Sequence, residues 1–362
     1  MTVGINLNFA NLFSDMSDKE MYDNEMRLAV LAEDLGYDAL WCVEHHFFNY
    51  AMCPSNFIVL ANLAGRTKRI KLGLGAVILP WHHDLLRVIE NIAQLDNLTD
   101  GRLLVSFGRG LCKEEYEGFR VDMAEARERF DEAAAFVLES LKTGFAEYEG
   151  KYHRQPRVEI RPRAAGAFDG RIYAVATSPE SIRPVAQLGG QLVCINQGSV
   201  QALMPSIDIY RDVHKEKFGR AAPNPLISET VFCHPDPVVA EREARDYMTA
   251  NLIEIIKHYH LFDADWDSIK GYESYKDRSE MLKAHGKEAL MEGYFQSQLW
   301  GTPEQIIEKY RQRVEITGGH DEVLGFSFGG MPYDKVEASM KLFSQEVLPE
   351  IRAIESRQLV AA

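Results

Sequence analysis

Two pairs of adjacent histidines and one arginine stand where short apolar runs end. His45-His46 follow a run that closes at Val43, His82-His83 follow Pro80-Trp81, and Arg109 follows Phe107-Gly108. An imidazole titrates near neutrality, so it can move a proton or bind a metal. A guanidinium can hold a phosphate through paired hydrogen bonds. Adjacent residues on a strand point to opposite faces, so His45 and His46 do not easily ligate one ion together. Metal-binding barrels place histidines two apart on a strand, and that spacing is missing here. The sequence is therefore read as metal-free. His46 and His82 also have a simpler reading, a hydrogen bond to a carbonyl at the rim.

"TSPES" (Thr177–Ser181) carries a second kind of chemistry. Ser178 suits an N-cap and Pro179 the first helical position. A helix that starts straight after a strand offers free N–H groups to an anion such as phosphate. Arg109, at a neighbouring strand end, would add a cation. No G-x-G-x-x-G fingerprint follows a strand, and "GLGAVI" lies within one. A phosphate site without a dinucleotide motif points to a mononucleotide such as FMN.

Those residues need elements to position them. Apolar runs alternate with helical segments along the chain. The expected strands are Val3–Phe9, Ala39–Val43, Ile70–Pro80, Arg102–Gly108, Arg171–Ala176, Gln191–Ile195, Pro225–Cys233 and Glu322–Phe328. Helices are expected after Ser17, which with Glu20 forms a capping box, and over Asn56–Leu63, Leu85–Leu98, Met123–Lys142, Gln201–Lys217, Val238–Lys257 and Lys335–Ile354. Eight strand–helix pairs with nearly continuous apolar strands predict an α/β fold, a (β/α)8 TIM barrel, as one domain over residues 1–362. Residues 144–165 read as a hairpin excursion. Residues 261–299 read as an insertion that serves as a lid at the active face.

The chain has 362 residues and a formal net charge of −14, with no basic block, which argues against nucleic acid and anionic membrane as partners. No run of about 18 apolar residues suggests a membrane span. The opening "MTVGINLNFANLFSD" reads as a strand rather than a signal peptide. Five scattered cysteines fit a reducing cytoplasm.

Several stretches, in order and over nearly the whole chain, resemble the bacterial luciferase family of flavin-dependent monooxygenases, and within it the catalytic subunit. They are "VEHHF" (Val43–Phe47), "GAVILP" (Gly75–Pro80) with His83 after it, "DGRLLVSFGRGL" (Asp100–Leu111), "YAVATSPES" (Tyr173–Ser181), "KGY" (Lys270–Tyr272), "WGTPEQ" (Trp300–Gln305) and "ASMKLFSQEVLPEI" (Ala338–Ile351). The resemblance implies a barrel that binds reduced FMN and reacts it with O₂ to a flavin 4a-hydroperoxide. It implies His45 as the catalytic histidine, with His46 and His83 as nearby polar groups of the pocket. It implies Arg109, Arg127, Ser178 and Ser181 around the phosphate, and Leu111, Val175 and Thr177 along the flavin. Gly75-Ala76 matches the position of a cis peptide against the ring. Two departures stand out: Gly108 where luciferase has a reactive cysteine, and Thr177 where it has a glutamate.

The function this implies is oxygenation of a small apolar organic substrate, an aldehyde, ketone or similar. A separate reductase would supply the reduced flavin, since no NAD(P)H fingerprint is evident. Phe47, Phe48, Trp81 and Phe107 would keep the pocket dry. Two other readings share this barrel: a deazaflavin-dependent hydride-transfer oxidoreductase, and a non-catalytic flavin-binding partner subunit. An asparagine replaces His45 in the latter, which argues against it. The resemblance also implies a dimer of identical chains through Asn56–Leu63 and Leu85–Leu98.

Overall fold

Eight parallel strands close into a barrel, and the helices between them cover its outside. The structure is a computed structural model that describes residues 1–13, 16–176, 179–261, 269, 272 and 286–361, with the backbone alone for residues 179, 180 and 355–361. The barrel strands are β1 (Val3–Leu7), β2 (Ala39–Cys42), β3 (Lys71–Ile78), β4 (Leu103–Gly108), β7 (Ile172–Val175), β8 (Gln191–Ile195), β9 (Leu226–Cys233) and β11 (Asp321–Gly325). They pair in that order, and β11 returns to β1 to close the ring. An antiparallel hairpin, β5 (Phe145–Glu149) with β6 (Arg154–Glu159), forms the excursion expected at residues 144–165. A short strand, β10 (Leu299–Gly301), pairs with β9 outside the ring.

The strands are apolar on both faces because both are covered. Ala39 and Trp41 of β2 point inward with Leu104, Tyr173, Val193, Leu226 and Val323, and these fill the barrel floor. Their neighbours Leu40 and Cys42 point outward and pack beneath the helices with Leu72, Leu74, Leu103 and Val105. The period-two alternation of strand side chains makes that division. Trp41 lies across β3: a Cβ at Gly73 would come within 2.4 Å of its ring, so only glycine fits there.

Caps mark the helix ends. α1 (Asp18–Asp34) opens with the Ser17–Glu20 capping box, and Ser55 caps α2 (Asn56–Arg66). Asp84 caps α3 (Leu85–Leu98). α4 (Lys113–Gly118), after β4, was not anticipated: six residues with little apolar spacing leave no periodic signal. α5 (Ala126–Thr143) ends at Gly144 in the left-handed conformation. α6 (Pro179–Gln187), α7 (Val200–Phe218) and α8 (Pro237–His258) follow β7, β8 and β9. α9 (Lys287–Ser297) leads into β10, and α10 (Pro303–Thr317) opens with a Thr302–Gln305 capping box. The last expected helix is interrupted: α11 (Tyr333–Leu342) and α12 (Leu348–Ala361) flank a π turn over Phe343–Val347. Most of the expected lid, residues 262–268, 270–271 and 273–285, lies outside the described residues. Among the described residues, no helix is long and apolar enough to cross a membrane.

Candidate active site

A cavity of about 300 Å³ opens at the C-terminal ends of the strands. The loop after β2 places His45 on its wall and turns His46 behind that wall, as strand alternation requires. Glu115 of α4 fixes both residues. Its Oε1 lies 3.1 Å from His45 Nδ1 and accepts the His46 backbone N–H at 2.7 Å. On the other side of the ring, His45 Nε2 lies 3.4 Å from the Tyr259 hydroxyl. His45 therefore has a carboxylate at one nitrogen and a phenol at the other. That arrangement orients an imidazole and can relay a proton.

His258, at the end of α8, packs edge-on against His45 with centroids 5.0 Å apart and stacks on Tyr50 at 4.5 Å. Burial, with His45 and His260 adding to it, lowers its pKa to about 3, so it stays neutral.

Glu44 organises the rim from beneath. It is buried, and its carboxylate accepts from the Trp81 indole at 2.8 Å and the Ile78 N–H at 3.1 Å. His46 Nε2 lies 3.4 Å away, and His82 Nε2 lies 3.3 Å away but off the hydrogen-bond axis. Burial alone would raise this carboxyl, but His46, His82 and the indole outweigh it and hold it at about 2.

The structure brings most of the expected flavin residues to one cavity. Gly75, Ala76, Arg109, Leu111, Arg127, Val175 and Ser181 all line it. The Gly75–Ala76 peptide is cis. Arg109 lies over the Tyr272 ring at 3.9 Å. Asp131 sits close to both cations: burial raises its carboxyl, and Arg127 and Arg109 pull it back. Thr177 and Ser178 lie outside the described residues. A Cβ at Gly108 would come within 2.7 Å of Ile78 Cδ1, so a cysteine there would have to displace the end of that side chain. Ser106, on the cavity wall, keeps a buried hydroxyl with no hydrogen-bond partner among the described residues. The glycines at 75 and 108, an orphaned hydroxyl and two cations near Asp131 fit a phosphate-bearing flavin.

Three expectations are corrected. His46 does not line the cavity: it lies against Phe119 and Trp81. His83 is exposed, and its Nε2 lies 3.0 Å from the Phe119 carbonyl, because the turn at Leu79–Trp81 carries the chain outward before α3 begins. Phe47 is 64% exposed and Phe107 packs in the outer core, so neither dries the pocket. The wall also has a polar side that the apolar-substrate expectation did not foresee. Ser228, Glu229 and Thr230 of β9 stand there with Asn196, Asn251, Tyr294 and Gln298. Glu229 pairs with Arg313 and accepts from Asn196 at 2.8 Å; burial, partly offset by Arg313, raises its carboxyl to about 7.

Sequence reasoning missed Glu115, His258 and Tyr259. Glu115 lies in an acidic run, and the other two sit at the foot of a helix that carried no motif.

Known proteins share this architecture. The model of the luciferase-like monooxygenase family matches residues 1–320. The alkanal monooxygenase alpha chain of Photorhabdus laumondii subsp. laumondii is 26% identical over 344 residues, 93% of this chain and 94% of that one. The oxygenase component of a flavin-dependent trigonelline monooxygenase from Acinetobacter baylyi is 24% identical, over 92% of this chain and 91% of that one. The crystal structure of the monooxygenase RslO1 from Streptomyces bottropensis superposes with a TM-score of 0.80 at 25% identity, covering 96% of this chain and 99% of that chain.

Proposed function

The chain belongs to the luciferase-like monooxygenase family, and from that premise we propose that it is the oxygenase component of a two-component system. It takes reduced FMN from a separate reductase and uses O₂ to oxygenate a small organic substrate, an aldehyde, ketone or similar. The observation that carries this reading is the His45–Glu115 pair on a cavity that Gly75, Ala76, Arg109 and Arg127 also line.

Reduced FMN, when bound, supplies the electrons that activate O₂. Arg109, Arg127 and Ser181 hold its phosphate. Gly75, Ala76, Gly108 and Val175 give the ring a close wall. His45 holds or moves the proton at the substrate oxygen, positioned by Glu115 and Tyr259. Trp81, Leu111, Ile255 and Leu261 exclude water from the mouth. The polar side at Ser228–Thr230 admits a substrate with a hydrogen-bonding group as well as an apolar body.

Two measurements test this. Reduced FMN, added anaerobically, should bind more tightly than oxidised FMN. With isotopically labelled O₂ and a panel of aldehydes and ketones, one labelled oxygen atom should enter the product. Tight binding of a deazaflavin with hydride transfer and no label in the product would overturn the proposal in favour of the hydride-transfer reading.

A further inference from the structure

We infer that His45, Glu115 and His258 form a binding site for a divalent transition ion of the zinc class. The three residues come from separate segments, the loop after β2, α4 and the end of α8. One donor atom from each lies within 4.8 Å of the other two. His45 Nδ1 and Glu115 Oε1 are already 3.1 Å apart, close to the roughly 3.4 Å edge of a tetrahedron with zinc-length bonds. Two imidazoles and one carboxylate are a donor set that zinc accepts, with a fourth position left for water or substrate.

A second observation points to a ligand. His258 is only 4% exposed, and neither of its ring nitrogens has a hydrogen-bond partner among the described residues. Buried polar groups are normally satisfied. A ring held between Tyr50 and His45 with no bond of its own suits a ligand waiting for an ion. The surroundings also resemble the outer shell that orients metal ligands. The Tyr259 hydroxyl stands at the far nitrogen of His45, and the His46 N–H steadies the Glu115 carboxylate. His45 and Glu115 both line the cavity, so the fourth position faces it. An ion here takes the His45 imidazole out of proton transfer. That consequence rests on the oxygenase reading, but the binding itself does not.

The test uses the intact protein without flavin or substrate, so its failure is separate from failure of the proposed function. Zinc is titrated in competition with a chromophoric chelator, and cobalt is added separately to read its visible spectrum. The expected result is one ion per chain with micromolar affinity and an intense tetrahedral cobalt spectrum. His258→Gln and Glu115→Gln should each weaken binding at least tenfold and remove the cobalt bands, with circular dichroism confirming the fold. His260→Gln serves as a control, because His260 pairs with Glu114 at the surface and could offer a competing site. It should leave binding unchanged. Binding that survives His258→Gln and Glu115→Gln in folded protein, binding that is lost in His260→Gln, or no binding at micromolar zinc would each overturn the site.

Discussion

His45 owes its orientation to two partners far from it in the chain. Glu115 stands 70 residues downstream and Tyr259 stands 214 residues downstream. His45→Ala should leave reduced-FMN binding nearly intact, because the phosphate cations do not depend on it. Turnover should fall about 100-fold or more, the usual worth of a positioned acid–base group. Product formed per reduced flavin, followed beside hydrogen peroxide release, reads this directly. Full coupling in the variant would remove His45 from the chemistry. Glu115→Gln keeps an acceptor for the His46 N–H but loses the charge beside His45, so turnover should fall while the flavin dissociation constant stays near wild type. If both constants move together, Glu115 is holding the loop rather than the histidine. Arg109→Ala acts at the other end of the cavity. It should weaken reduced-FMN binding by about 1.5–3 kcal/mol, the worth of a charge-assisted hydrogen bond. An unchanged dissociation constant would place the phosphate elsewhere.

Two buried carboxylates tie elements together and should respond to pH with opposite signs. Glu44 joins the end of β2 to the β3–α3 turn, and its folded pKa of about 2 lies below the ordinary 4.5. Its stabilisation is present above pH 4.5 and is lost as pH falls toward 2, a swing on the order of 3 kcal/mol. Glu25 of α1 accepts from Ser327 at 2.6 Å and Tyr333 at 3.0 Å; burial, only partly offset by these bonds, raises its pKa to about 7. Its stabilisation is complete below pH 4.5 and is lost as pH rises through 7. Denaturant unfolding should show wild type gaining on Glu44→Gln from pH 3 to 4.5, and falling relative to Glu25→Gln from pH 5 to 7. Parallel curves would mean the charges are not held as the geometry implies. The same two residues mark the limit of what the sequence makes legible. Strands and helices announce themselves by apolar period and caps, so β8 and α3 keep their expected bounds. His45 and Arg109 are visible because strand ends carry them. Glu44 is visible only as a carboxylate beside the histidines. Glu25, Glu115 and His258 look like ordinary helix residues, since their meaning comes from neighbours that tertiary packing alone supplies.

At the scale of the whole molecule, two helices carry the expectation of assembly. α2 and α3 pack side by side on the outside of β3 and β4, and both are expected to meet a partner. Ile58 on α2 is 72% exposed and Leu98 at the end of α3 is 54% exposed, while most large apolar residues of both helices are buried or half-buried. Single exposed apolar residues are common on any surface. We propose that these two helices join a dimer of identical chains, as the family resemblance implies; a two-fold pair is the commonest closed assembly. Sedimentation at micromolar concentration should therefore give a particle of twice the 41.1 kDa chain. Ile58→Glu should shift it toward the monomer, because the proposed contact would have to bury a charge in place of an exposed apolar side chain. The cavity opens at the strand ends rather than at α2 and α3, so the monomeric variant should still bind reduced FMN. A chain that sediments as a monomer before any substitution would overturn the dimer, and loss of flavin binding in the Ile58→Glu monomer would show that the site needs the partner to keep its shape.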